Sequence, residues 1–166
     1  MRTPTILRRA SKAIDDAVID EFKSQGHSLT GATEKSIQGK VLGDRVEGEM
    51  ADHGFILNAG TKASRIPYKR GSGGGTSKYI EGLKTFFRLR GLSEQEAERA
   101  AFATANVQKK EGMSTGGSKQ YSKTGERQKF VEIASGKVEK EVDSILFSGM
   151  DEIFNTEFEK QKSERI

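Results

Sequence analysis

Apolar side chains at Ile6, Leu7, Ala10, Ala13, Ile14, Ala17, Val18 and Phe22 follow the three- and four-residue steps of one helical face. Thr3 as the cap and Pro4 at the first helical position start that helix, and Gly26 lies just beyond its end. The period then changes between Leu29 and Thr61. A turn, Leu29-Thr30-Gly31, and a short polar segment ending at Ser36-Ile37 lead into two short strands joined by Gly43-Asp44. In the second strand Val46, Gly48 and Met50 alternate with Arg45, Glu47 and Glu49, which predicts one packed face and one wet face. The apolar run Phe55-Ile56-Leu57 and the small-residue turn Asn58-Ala59-Gly60-Thr61 close the stretch. Two strands alone are barely stable, so the amphipathic segments on either side are the expected cover.

Helical spacing returns in the C-terminal half. Tyr79, Ile80, Leu83, Phe86 and Phe87 predict a helix over about 77–90, ended by Gly91. Ser93 and Glu96 form a capping box for a second helix over about 93–110, with a stripe of small residues at Ala97, Ala100, Ala101, Thr104 and Val107. The two make a helical hairpin. Residues 112–128 read as a loop, with Tyr121 its one large side chain. Phe130, Val131, Ala134, Val138, Val142, Ile145, Leu146, Ile153, Phe154 and Phe158 then run on at helical spacing. Unbroken, that is a helix of about 35 residues and about 50 Å; Gly149, with Asp151 after it, offers a break into two. A stripe of this length exceeds what a small core covers, and the surplus reads as an interface with another subunit. The expected fold is a single α+β domain over residues 1–166: an N-terminal helix, a small antiparallel sheet and a helical C-terminal half, with flexible loops at about 62–76 and 112–128.

Composition narrows the chemistry. The chain is 33% hydrophobic and 31% charged, so it folds with much polar surface. With no cysteine there is no disulfide, thiol nucleophile or thiolate metal site. Two histidines, His27 and His53, are fewer nitrogen ligands than zinc sites use. Asp52 beside His53 suggests a general base, but neighbours on a strand point to opposite faces, so His53 reads as a polar residue at a strand end. Paired carboxylates such as Asp15/Asp16 and Glu139/Glu141 read as solvated helix faces, and no hydrolase elbow, zinc helix or EF-hand loop occurs. The expectation is no catalytic, cofactor-binding or metal-binding residue, and a small enzyme or toxin ranks last.

Charge points to a partner surface instead. No acidic residue lies between Asp52 and Glu81, while Lys62, Arg65, Lys69, Arg70 and Lys78 are basic; Lys119, Lys123 and Arg127 repeat the bias in the second loop. The Gly71-to-Thr76 run lacks the Lys of a P-loop and reads as a spacer. A net charge of +4 is a mild bias toward acidic partners. No apolar run approaches bilayer length and no signal-peptide pattern is present, so neither export nor a membrane partner is expected. A membrane-surface role for the first helix is disfavoured by Asp15, Asp16, Asp20 and Glu21.

The central stretch carries a family resemblance. Thr30-Gly31 leading to Ser36-Ile37, a charged hairpin, and Phe55-Ile56-Leu57 before Gly60-Thr61 resemble the tail-completion family of tailed bacteriophages, small head–tail joining (neck or minor tail) proteins. Phe55 and Asn58 stand where that family usually shows a tyrosine and a glutamate. Glu111-Gly112-Met113 and Lys129-Phe130-Val131 look like the two sides of the family's last junction, with the loop between as an insertion. The resemblance implies a structural virion protein whose small α+β subunits form a ring of six or twelve copies. The ring would join portal or connector proteins to tail proteins, with DNA passing through the lumen without sequence recognition. It implies a location in the host cytoplasm during assembly and in the virion neck afterwards, and covers connector, stopper and tail-terminator positions alike. Contacts are expected in the loops, at Lys62, Arg65, Lys69, Arg70, Lys119, Lys123 and Arg127. The alternative is a nucleic-acid-binding module using the basic Gly-rich loops, with only Tyr68, Tyr79 and Tyr121 there for stacking.

Overall fold

The computed structural model describes residues 3–71 and 77–164 and has an α+β fold. Its elements are α1 (Thr3–Ser24), α2 (Ala32–Ser36), β1 (Gln38–Leu42), β2 (Arg45–Glu49), α3 (Asp52–Ala59), α4 (Lys78–Leu89), α5 (Glu94–Glu111) and α6 (Phe130–Ser163), with 3-10 turns at Ala63–Arg65 and Gly116–Tyr121. The chain divides into two compact units, Met1–Phe55 with Lys129–Ile166, and Ile56–Gln128.

In the first unit, α1 packs along α6 and against the hairpin. Ile6, Ala10, Val18 and Phe22 of α1 are buried, as are Phe130, Ala134 and Val138 of α6. The Phe22 and Phe130 rings meet edge-on with centroids 5.2 Å apart, a geometry that aligns a positive ring edge with a negative face. Near its other end, α1 places Ile6 against Gly149 of α6; a Cβ built there would lie 2.6–2.8 Å from three Ile6 carbons. That close approach accounts for the glycine, and α6 runs through it unbroken for 34 residues.

The hairpin pairs Gln38 with Glu49 and Val41 with Val46 around Gly43-Asp44, and Gly43 takes φ 67°, the left-handed conformation such a turn favours. Gly39 gives Ser11 room against β1, and its N–H donates to Asp15 Oδ2 at 2.9 Å. The packed face predicted for β2 is thin: Val46 and Met50 are half-buried and Gly48 is exposed. A two-stranded sheet with helical cover on one side has little interior to offer.

The stretch after the hairpin differs from the expected strand end. Asp52 to Ala59 is a helix, and His53 sits in its first turn. Asp52 in that turn complements the positive helix end. His53 Nε2 is hydrogen-bonded to Thr33 Oγ1. The division between the two units falls inside this helix.

The second unit is built on the α4–α5 hairpin. Ile80, Ala101 and Ala105 form its buried centre, with Tyr68, Tyr79, Leu83, Phe87 and Phe102 packed around them. The small-residue stripe is therefore Ala97, Ala101 and Ala105, all fully buried, while Val107 is exposed. The capping box forms: Ser93 Oγ accepts from Glu96 N–H, and Glu96 Oε2 accepts from Ser93 N–H at 3.0 Å. Lys84 lies against α5, ion-paired with Glu98 at 3.0 Å and Glu81 at 3.3 Å. Thr61 and Met113 form an isolated antiparallel bridge, 2.9 Å and 2.7 Å. The segment after α5 holds further structure: Gln128 Nε2 donates to Met113 O at 2.8 Å, and Gly116 N–H to Glu111 Oε2 at 2.9 Å.

Candidate interaction surfaces

Charge is partitioned between the units. Ile56–Gln128 carries fourteen Lys and Arg against six Asp and Glu, a net +8, and the remainder of the chain carries a net −4. The overall +4 conceals this difference.

Lys62, Arg65, Lys69 and Arg70 are exposed, on the segment between α3 and α4, and Lys119 and Lys123 are exposed on the segment between α5 and α6. The spacer residues 72–76 lie outside the described residues. A cavity of about 360 Å³ is lined by Tyr68, Arg70, Asn106, Lys109 and Lys110. Lys109 Nζ donates to Ile66 O at 2.9 Å, so one of those lysines also ties α5 to the preceding loop. Beside it, Tyr79 donates its hydroxyl proton to Gln108 Oε1, and burial, with Tyr68 nearby, pushes the phenol up to about 12.

A second cluster joins α4 to the loop before α6. The Arg90 guanidinium lies 4.6 Å from the Phe86 ring centroid and 5.2 Å from that of Tyr121, cation–π distances for both. Arg127, one of the expected contact residues, is half-buried: burial, then the like charge of Arg90, hold its guanidinium below the usual arginine range. Leu89 and Tyr121 remain exposed in this region, next to Arg88, Arg90 and Lys119.

The first unit presents the opposite character. On α6, Phe147 is 72% exposed, Met150 55%, Phe154 70% and Phe158 56%. Steps of three, four and four residues put them on one face, and the rings of Phe154 and Phe158 stack with centroids 6.3 Å apart. Asp143, Asp151 and Glu157 are exposed along the same stretch. Gly149 points instead toward Ile6. Phe147 and Met150 are not among the apolar positions that the sequence pattern picks out, and with Phe154 and Phe158 they form the part of the helix that the core does not cover.

One buried polar group stands out among the described residues of the first unit. Glu21 is 3% exposed, and its carboxylate accepts from Lys137 Nζ and, at 2.9 Å, from Gln25 Nε2. Burial alone would raise its pKa, but the hydrogen bonds from Lys137 and Gln25 outweigh burial and hold it below the usual glutamate range. Among the described residues, no group of three or more His, Asp or Glu is placed to hold a metal. No described helix is long and apolar enough to cross a membrane.

The motif residues act as local punctuation. Gly31, at φ 74°, precedes α2, and Thr30 Oγ1 accepts from Ala32 N–H at 3.4 Å. Ser36 Oγ donates to Thr33 O and accepts from Ala51 N–H, tying α2 to the residue after β2. Ile37 is in the core of the first unit. Gly60 and Thr61 belong to the second unit, where Gly60 at φ 72° leads into the bridge to Met113. No family model, curated protein or solved structure matches the chain.

Proposed function

We propose that this chain is a structural subunit of a tailed-phage neck, a ring-forming head–tail joining or tail-completion protein. The observation that carries the reading is the aromatic stripe on α6. Four large apolar side chains aligned on one exposed helix face are surface that a chain covers by assembling. The residue pattern from Thr30 to Thr61 supplies the resemblance to neck proteins, and the polarity of the chain suits repeated contacts around a ring. In such a ring the basic side chains, Lys62, Arg65, Lys69 and Arg70 among them, face phosphates or acidic neighbours, and DNA passes without base readout.

The test is the mass of the purified protein in solution by light scattering, at low and high salt, with and without DNA. A closed ring, or assembly on adding portal and tail proteins, supports the reading. The net +8 of the second unit and its cavity of about 360 Å³ beside Tyr68 and Arg70 favour one other reading, a nucleic-acid-binding module. A DNA complex that weakens steeply with salt, formed by a protein that never self-assembles, establishes that reading and removes the first.

A further inference from the structure

We infer that the α6 stripe of one copy docks on the basic unit of a second copy, over Leu89, Arg90, Lys119 and Tyr121, in a head-to-tail contact. The inference rests on the ring reading above and names the two surfaces that would make the ring.

Size comes first. Phe147, Met150, Phe154 and Phe158 are each more than half exposed. At about 200 Å² for a large side chain, they present roughly 500 Å² of apolar surface. That is within the roughly 300–600 Å² of the largest apolar patch on a monomer, which is often functional, and below the roughly 800 Å² per partner of a standard interface. The stripe is the centre of a contact and needs a flanking rim to complete it.

Charge identifies the occupant. Asp143, Asp151 and Glu157 lie on or beside the stripe, with Lys140 and Lys162 beyond its two ends, so the rim along its middle is acidic. Pairing the stripe with its own copy would bring two acidic rims together, which costs free energy and directs pairing elsewhere. The basic unit offers the complement: Leu89 and Tyr121 are each 56% exposed, and Arg90 and Lys119 are exposed and basic, while Arg88 is already ion-paired with Glu94 at 3.0 Å. Arg90 is already stacked against Phe86 and Tyr121, so a carboxylate partner meets a positioned guanidinium. Both patches are apolar at the centre and charged, with opposite sign, at the edge. A contact between two different surfaces of one chain is heterologous, and such contacts close into rings or run on as filaments.

Two variants on exposed positions test it. Phe147→Asp with Phe154→Asp breaks the stripe; Leu89→Asp with Lys119→Glu breaks the basic patch. Circular dichroism verifies that each is folded, and light scattering gives the mass. The expected result is that the wild type assembles at low salt and each variant raises the dissociation constant at least tenfold. An equimolar mixture of the two variants gives a dimer that does not extend, because it restores one productive contact and no second. If the stripe variant fails to fold, Asp151→Lys with Glu157→Lys takes its place, and if the basic-patch variant does, Lys119→Glu alone, with at least tenfold weaker association expected. Self-assembly of the basic-patch variant at wild-type strength, a mixture that remains monomeric, or a wild type that is monomeric alone overturns the inference. Rings of wild-type size formed by both variants also remove this contact and leave the ring reading standing. A wild type that forms no ring even with portal and tail proteins removes the ring reading itself.

Discussion

Replacing Gly149 with Ala tests whether the α1–α6 contact is as close as the structure places it. At an ordinary interior helical position Gly→Ala stabilises by about 1 kcal/mol, because alanine loses less backbone entropy on folding. Here the new methyl would sit 2.6–2.8 Å from Ile6 Cγ1, Cδ1 and Cγ2. Carbon atoms pack best at about 3.5–4.0 Å, so the contact must open by roughly 1 Å. Ile6 is 2% exposed and branched at Cβ, so it has little freedom to rotate aside. Overpacking of this kind costs about 1–3 kcal/mol. After subtracting the propensity gain, the expected net loss is about 1 kcal/mol, read as a lower urea midpoint in circular dichroism. Ile6→Ala alone costs about 2–5 kcal/mol through the cavity it leaves. In that background Gly149→Ala should instead stabilise by about 1 kcal/mol, so the double-mutant cycle shows a coupling of about 2 kcal/mol. A Gly149→Ala protein that gains about 1 kcal/mol with Ile6 intact would refute the close approach, and with it the reason given for an unbroken α6.

Three further substitutions probe other joints. Ser93→Ala removes the cap on α5 and should cost about 1 kcal/mol, lowering Tm by about 2–4 °C; an unchanged Tm contradicts the capping box. Gly60→Ala would put a Cβ 2.6 Å from Met113 O at φ 72° and should cost at least about 1 kcal/mol, seen as faster amide exchange at Thr61 and Met113; unchanged exchange there counts against the bridge. Glu21 is held below its ordinary pKa, so its contribution to stability is fully present above the unfolded glutamate value and is lost as pH falls through the lower folded value. Lys137→Met removes a hydrogen bond to that carboxylate and should cost about 1 kcal/mol at neutral pH, near the low end because Lys137 is 60% exposed. The loss should shrink in acid, and a pH-independent loss would show that Glu21 is not its origin.

Much of the secondary structure was legible because local physics decides it. The α1 face, the Gly43-Asp44 hairpin, the Ser93–Glu96 cap and the α4–α5 hairpin all follow from periodicity and turn chemistry that act within a few residues. Asp52 to Ala59 was harder, since Phe55-Ile56-Leu57 is a short apolar run that period alone leaves between strand and helix. Gly149 shows the larger gap. A glycine in a helix can mark a break or a close approach, and only the position of Ile6, 143 residues away in sequence, decides which. Of the expected contact residues, six proved exposed while Arg127 is half-buried under the like charge of Arg90. That environment comes from burial and from Arg90, just past the end of α4, which neighbouring residues in the sequence do not announce. The stripe over Phe147 to Phe158 was partly visible, but its two faces separate only once Gly149 is known to point toward Ile6.

The size of that stripe also bears on how assembly would be controlled. Burying roughly 500 Å² at about 25 cal/mol per Å² returns about 12 kcal/mol, against about 4–15 kcal/mol for lost translational and rotational freedom. One head-to-tail contact of this kind would therefore be close to balance, and the charges at its rim would decide whether it holds, which would make it sensitive to salt. Closing a ring changes the arithmetic. The last subunit to enter makes two contacts while losing its free motion once, and the second contact forms at the high effective concentration set by the first. Subunits with such an interface would stay dispersed when dilute and commit together once a template or a sufficient concentration brought their neighbours within reach. An assembly curve with no cooperativity, rising smoothly from monomer through every intermediate, would mean that the contact is stronger than the stripe alone accounts for.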